Sequence, residues 1–418
     1  MKTIIAAYSQ DLSGLTLRSA LRSVSAATTQ LQEQLRSFMQ LLSILQWIFS
    51  FLVMGLAFLM VFICLFFTHL WPISALYLSW VLLDWDTPET GGRRSEWVRN
   101  CSVWNYFRDY FPIQLVKTHN LPPGRNYIIG SHPHGILCIG AFCNFVTEST
   151  GFSQKFPGIR PHLTTLTGNF RLPILREYMM SGGLCPVNRK SIGYALSQKG
   201  RGNAVVIVVG GAAESLSCQP GVTNLILSNR RGFVRLALEH GIHRITMGYD
   251  GASADLHQLI KAFWPPRIQQ AHPYIPVYWL RQISCIPKHK AGALCRALIR
   301  ADLVPSYSFG ETDLYQQVHF TEGSLLHAAQ HRFQKLFGFA PCFFYGRGLT
   351  SPQSKGFIPY SRPITTVIGE PVTVPQIQDP SPEIVDRYHN MYKCSLLRLF
   401  HENKTKHGLG ENAELRIL

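Results

Sequence analysis

The sequence predicts an α/β domain carried on an N-terminal hydrophobic helical hairpin, and three observations predict it. Residues 37–83 contain no Asp, Glu, Lys or Arg. Beyond Asp84 the texture changes to short β-branched runs separated by Gly and Pro and mixed with amphipathic stretches, the pattern of strands alternating with helices. Two turns rich in Gly and polar residues follow strand-like runs, and strand ends are where open α/β sheets carry chemistry.

The hairpin comes first along the chain. Residues 41–67 read LLSILQWIFSFLVMGLAFLMVFICLFF, and a spanning helix needs ~20 apolar residues. After Thr68-His69-Leu70-Trp71-Pro72, residues 73–83 form a second apolar stretch, short for a full span by itself. Residues 37–84 therefore read as a transmembrane or re-entrant hairpin turning near His69 to Pro72. Arg18, Arg22 and Arg36 precede it and Arg93, Arg94 and Arg99 follow it, a bias that puts both flanks on the cytosolic side. Trp47, Trp71, Trp80 and Trp85 lie near its ends, as suits a water interface. Residues 1–36 then form a cytosolic segment. Met1 to Ala7 carries one Lys and a short apolar patch, too little for the apolar core of a cleavable signal.

In the α/β part, strands are expected at residues 127–130, 204–209, 303–307 and 365–368, and helices at 174–180, 232–239 and 384–400. The balance of 40 Lys+Arg against 24 Asp+Glu gives a formal +16, which suits an acidic lipid surface or a phosphorylated ligand. No zinc-finger spacing or aromatic-interleaved basic stripe is present, so nucleic acid is excluded as a partner. The ten cysteines sit at irregular spacings without C-x-x-C, which argues against a secreted disulfide framework.

The turn Ser131-His132-Pro133-His134-Gly135 holds two imidazoles beside a proline. A histidine titrating near neutrality is a natural base for taking a proton from an alcohol. No third His or carboxylate stands at metal-ligand spacing, so no metal is expected. Gly210-Gly211-Ala212-Ala213-Glu214-Ser215 follows the apolar run 205–209. Its Glu214 is read as the carboxylate that orients an imidazole, with a helix N-terminal carboxylate as the bland alternative.

With those residues in hand, the chain resembles the type 2 diacylglycerol O-acyltransferase family, which also holds monoacylglycerol and wax-alcohol acyltransferases. The resemblance runs in order through Gly91-Gly92-Arg93-Arg94, residues 106–112 (YFRDYFP), His132 to Gly135, Gly168-Asn169-Phe170-Arg171 and residues 209–215. It continues through Arg231-Gly232-Phe233, Leu303-Val304-Pro305, Ser308-Phe309-Gly310-Glu311, Gly346-Arg347-Gly348 and residues 363–371.

The resemblance implies an endoplasmic-reticulum enzyme that also sits on lipid droplets, with acyl-CoA as donor, diacylglycerol as acceptor, no cofactor and no metal. It implies His134 as base, with Glu214 its partner and His132 supporting the turn or the oxyanion. Arg171, Arg176, Arg230 and Arg231 are the residues expected near CoA phosphates, because Arg contacts phosphate bidentately. Phe51, Leu52, Phe111 and Pro112 are expected to meet lipid. Monoacylglycerol or a wax alcohol is the rival acceptor, and an inactive droplet protein the rival outside enzymes. Association as a homo-oligomer stays open.

Two features depart from the family pattern. The family's Phe-Leu-x-Leu element reads Phe51-Leu52-Val53-Met54 here, with Met a flexible apolar replacement. Residues 242–300 lie where the family passes almost directly from helix to strand. They are expected to form a loosely ordered insertion between the two parts of the acyltransferase domain, residues 85–241 and 301–418.

Overall fold

The computed structural model describes residues 2–240 and 301–418, except Ala340, Thr350 and Pro352. The proposed insertion, residues 242–300, lies outside the described residues.

The first helix, α1 (Lys2–Ile48), continues through one π-helical turn, Phe49–Val53, into α2 (Met54–Phe66). Helix therefore begins well before the charge-free run, and its 45 residues from Arg22 to Phe66 are long and apolar enough to cross a membrane. Only part of the run stands clear of the domain. Ile44, Trp47, Ile48 and Met54 are buried, and the Trp47 ring centroid lies 5.4 Å from that of Phe107 and 5.5 Å from that of Phe142.

After a turn at residues 67–70 the chain returns as α3 (Trp71–Leu83). Ser74 Oγ donates to the Phe62 carbonyl at 2.9 Å, and the Phe62 and Tyr77 rings stack at 4.5 Å, so the arms pack antiparallel. Each arm has 13 residues, ~20 Å at 1.5 Å per residue. Large apolar side chains stay bare along both, with Phe67 87% and Leu83 88% exposed.

Among the described residues seven strands form the main sheet: β1 (Gln114–Lys117), β2 (Asn126–His132), β3 (Arg160–Thr165), β4 (Cys185–Pro186), β5 (Asn203–Val208), β7 (Ala301–Phe309) and β11 (Thr365–Ile368). Their order is β1-β11-β7-β2-β5-β3-β4. From β7 through β4 all neighbours are parallel, and β11 runs against β7. Shorter pieces make two further sheets: β8 (Gln316–Gln317), β9 (Phe344–Arg347) and β10 (Lys355–Gly356) in one, β6 (Asn224–Leu225) and β12 (Arg416–Ile417) in the other.

Because side chains alternate along a strand, the sheet builds a core on each face. Tyr127, Ile129, Val206 and Val304 join the cluster containing Trp47, Phe107 and Phe142. Ile128, Val205, Ile207 and Leu303 join the cluster under helices Gly232–Glu239 and Pro382–Asn403. Parallel strands covered on both faces read as continuous apolar runs, which is how β5 shows in the sequence, while β2 and β7 carry buried polar residues such as Ser131, Asp302 and Ser306. The expected elements are all present, with ends shifted by a few residues.

Candidate active site

The C-terminal ends of β2, β5 and β7 meet at one edge of the sheet, and the segments leaving them carry His134, Glu214 with Ser215 in the short helix Gly211–Leu216, and Glu311 at the start of the 3₁₀ turn Glu311–Leu314. His134 Nδ1 lies 2.7 Å from Ser215 Oγ and 3.1 Å from the Gly135 carbonyl oxygen. A carbonyl can only accept, so Nδ1 carries the proton and Nε2 keeps the lone pair. Burial holds the imidazole below the ordinary histidine value, against the bond to Gly135. The ring is thus neutral and basic near pH 7. Cys138 Sγ lies 3.4 Å from Nδ1 and 3.5 Å from Nε2.

Glu214 is placed differently from expectation. Its Oε1 accepts the backbone N–H of His134 at 2.5 Å and its Oε2 that of Ile226 at 2.8 Å. It reaches the turn but not the ring, because both oxygens are taken by main-chain donors. Burial pushes its carboxyl up to about 6, opposed by those two donors. Ser215, the next residue, makes the side-chain contact with the imidazole.

The structure separates His132 from the site. One residue of β2 points to each face in turn, and His132 is 0% exposed with Nε2 3.0 Å from the Tyr392 hydroxyl, on the face covered by helix Pro382–Asn403. Burial drives its imidazole down to about 3. Support of an oxyanion by this side chain is corrected: the ring faces the opposite core.

His134 borders an apolar cavity of about 390 Å³. Phe51 and Leu52 from the π-helical turn close one side, Thr164 and Thr165 from the end of β3 another, and Phe339, Phe343 and Phe344 a third. Phe111 instead is buried in the aromatic core, its ring 5.4 Å from that of Phe107, and Pro112 beside it is exposed.

The four arginines do not converge. Arg176 is 1% exposed and pairs with Asp84 at 2.5 Å and Glu177 at 2.8 Å, tying the end of α3 to helix Leu175–Gly182. Its expected place on CoA phosphate is corrected, since its charge is already spent inside the fold. Arg231 is exposed and pairs with Asp386 at 2.9 Å. Arg171 lies over the Trp85 ring at 3.7 Å. Arg230 is exposed and donates to the Gly210 carbonyl at 3.4 Å, on the turn that carries Glu214.

Among the described residues no group of three or more His, Cys, Asp or Glu could hold a metal ion. A neutral histidine at a strand-end turn, facing an apolar cavity at the foot of an apolar hairpin, is suited to moving a proton on a hydrophobic substrate. The family model described as diacylglycerol acyltransferase matches residues 63–263 and 287–418. Diacylglycerol O-acyltransferase 2 of Bos taurus is 49% identical over 419 aligned residues, covering 100% of both chains. The Homo sapiens protein of that name is 48% identical, covering 97% of this chain and 89% of its own. Acyl-CoA wax alcohol acyltransferase 1 of Mus musculus is 44% identical, covering 91% of this chain and 97% of its own. No solved structure matches. The chain belongs to the diacylglycerol acyltransferase family.

Proposed function

We propose that the chain transfers a fatty acyl group from acyl-CoA to the free hydroxyl of 1,2-diacylglycerol, giving triacylglycerol and CoA. The observation that carries this reading is the neutral His134 on the wall of an apolar cavity bordered by the hairpin. Nε2 takes the hydroxyl proton as the alcohol oxygen attacks the thioester carbonyl. The carbon–sulfur bond then breaks, and the leaving thiolate takes that proton to become CoA. Glu214 holds the turn through the His134 N–H, and backbone amides near Gly135 face the developing oxyanion. Base catalysis is worth ~100-fold or more.

Phe51 and Leu52 border the acceptor's place, so diacylglycerol enters laterally from the lipid. Arg230 is the candidate for CoA phosphates, since Arg171 already lies 3.9 Å from Glu89 and over Trp85. The enzyme works at the endoplasmic-reticulum membrane and on lipid droplets, held by the hairpin with both termini cytosolic. The likeness to a wax-alcohol acyltransferase keeps a second acceptor class in view. The test offers purified full-length protein diacylglycerol, monoacylglycerol and a long-chain alcohol together with labelled acyl-CoA. Triacylglycerol as main product is expected, with Arg230→Ala raising KM for acyl-CoA; a main product of wax ester or diacylglycerol contradicts the acceptor assignment.

A further inference from the structure

The block Ser308-Phe309-Gly310-Glu311 stood out in the sequence, and the reaction above leaves it without a role. Glu311 follows β7 and is 3% exposed. Its Oε1 accepts the Ile139 N–H and its Oε2 the Gly140 N–H, each at 2.7 Å. Those donors open helix Ile139–Val146, where unpaired N–H groups and the helix dipole favour an anion. The carboxyl group also packs on backbone. A Cβ added at Gly135 would lie 2.9 Å from Glu311 Cγ, and one at Gly140 would lie 2.8 Å from Glu311 Oε2.

The loop from His134 to Gly140 therefore hangs between two buried carboxylates. Glu214 takes the N–H at its start and Glu311 the N–H groups at its end. Between these anchors Ile136, Leu137 and Cys138 line the cavity. Burial pushes the Glu311 carboxyl up, opposed by the N–H bonds of Gly140 and Ile139. Both of its oxygens act as acceptors, the arrangement of the ionised group.

We propose that Glu311 is a positioning residue for acyl transfer: by fixing the far end of the His134 to Gly140 loop it holds the imidazole and the cavity wall in register, so that its loss lowers turnover and leaves substrate affinity in place. This rests on His134 being the base. Glu311 is held on backbone N–H groups and acts only through the loop.

Glu311→Gln keeps the volume but turns an amide NH₂ toward one of the two N–H groups. Glu311→Asp keeps the charge and is one methylene short. Both variants are assayed as full-length purified protein, with kcat and KM for acyl-CoA and for diacylglycerol. In Glu311→Gln kcat should fall at least ~10-fold, since a ~1 Å misplacement can cost ~100-fold, while both KM values stay within about twofold. Glu311→Asp should recover part of kcat. Cys138, inside the loop, should be alkylated faster by an apolar maleimide in Glu311→Gln, read by mass spectrometry. If Glu311→Gln does not fold, Glu311→Asp carries the same three readouts against wild type. Wild-type kcat, a raised KM at unchanged kcat, or a lower kcat with unchanged Cys138 alkylation and no recovery in Glu311→Asp would each overturn the proposal. His134→Ala assayed alongside separates the two readings. Activity there sinks the base assignment, whereas an inactive His134→Ala beside a fully active Glu311→Gln sinks only the role of Glu311.

Discussion

At the residue scale the pH profile separates Glu214 from His134. Glu214 titrates at about 6, so it is ionised at pH 7 and grips the His134 and Ile226 N–H groups. As pH falls through that value the carboxylate takes a proton, its acceptor strength drops, and the turn loosens. Burial holds His134 below the ordinary histidine value, so the ring is neutral at pH 7. Turnover should therefore fall below about pH 6 in the wild type, and in Glu214→Gln the level should be lower at pH 7 with the acid limb moved to lower pH. A wild-type limb that is unchanged in Glu214→Gln would show that Glu214 does not set it. The turn was legible because two imidazoles flank a proline directly after a strand-like run, while the choice of His134 as candidate base came from the family resemblance. Which atom each partner touches was not legible. Glu214 and Ser215 are adjacent, and only the fold decides that the hydroxyl, not the carboxylate, meets the ring. Arg176 carries a similar lesson: in sequence a basic residue reads as exposed, and only packing shows it closed around Asp84, where loss of one partner costs ~3–5 kcal/mol.

Elements were legible where an apolar run was continuous, as in β5, because burial on both faces leaves no polar alternation; β2 and β7 were legible from shorter runs at Tyr127 to Ile129 and Leu303 to Val304. Short edge strands such as β4 and the cavity wall at Phe339, Phe343 and Phe344 gave no periodic signal, since each is defined by its neighbours. The hairpin was visible, but not its division of labour. Trp47 belongs to the domain core, while much of the two arms beyond Met54 stands free. The helix Arg22–Phe66 is long and apolar enough to cross a membrane, whereas the return arm has 13 residues, ~20 Å against the ~30 Å hydrocarbon layer, and a hairpin of either depth leaves both of its ends on one side. Tags at residues 1 and 418 should then both be reachable from the cytosol in selectively permeabilised cells. Lumenal protection of either tag would contradict that topology.

For the whole molecule, the proposed reaction requires a hydrophobic acceptor and a charged donor to meet at one apolar cavity beside the hairpin. The cavity is bordered by the hairpin at Phe51 and Leu52, the imidazole sits on its wall, and the loops at the strand ends supply the polar groups. The fold class could be read from the sequence because both the apolar hairpin and the strand-end turns are local signals. The cavity could not, because residues from the hairpin, β3 and the segment before β9 meet only in three dimensions. The most direct measurement is the rate of labelled acyl transfer from acyl-CoA to diacylglycerol by wild type and His134→Ala, at equal amounts of folded, membrane-bound protein. Loss of the base should cost at least ~100-fold, and retention of more than about a tenth of the wild-type rate would contradict the account.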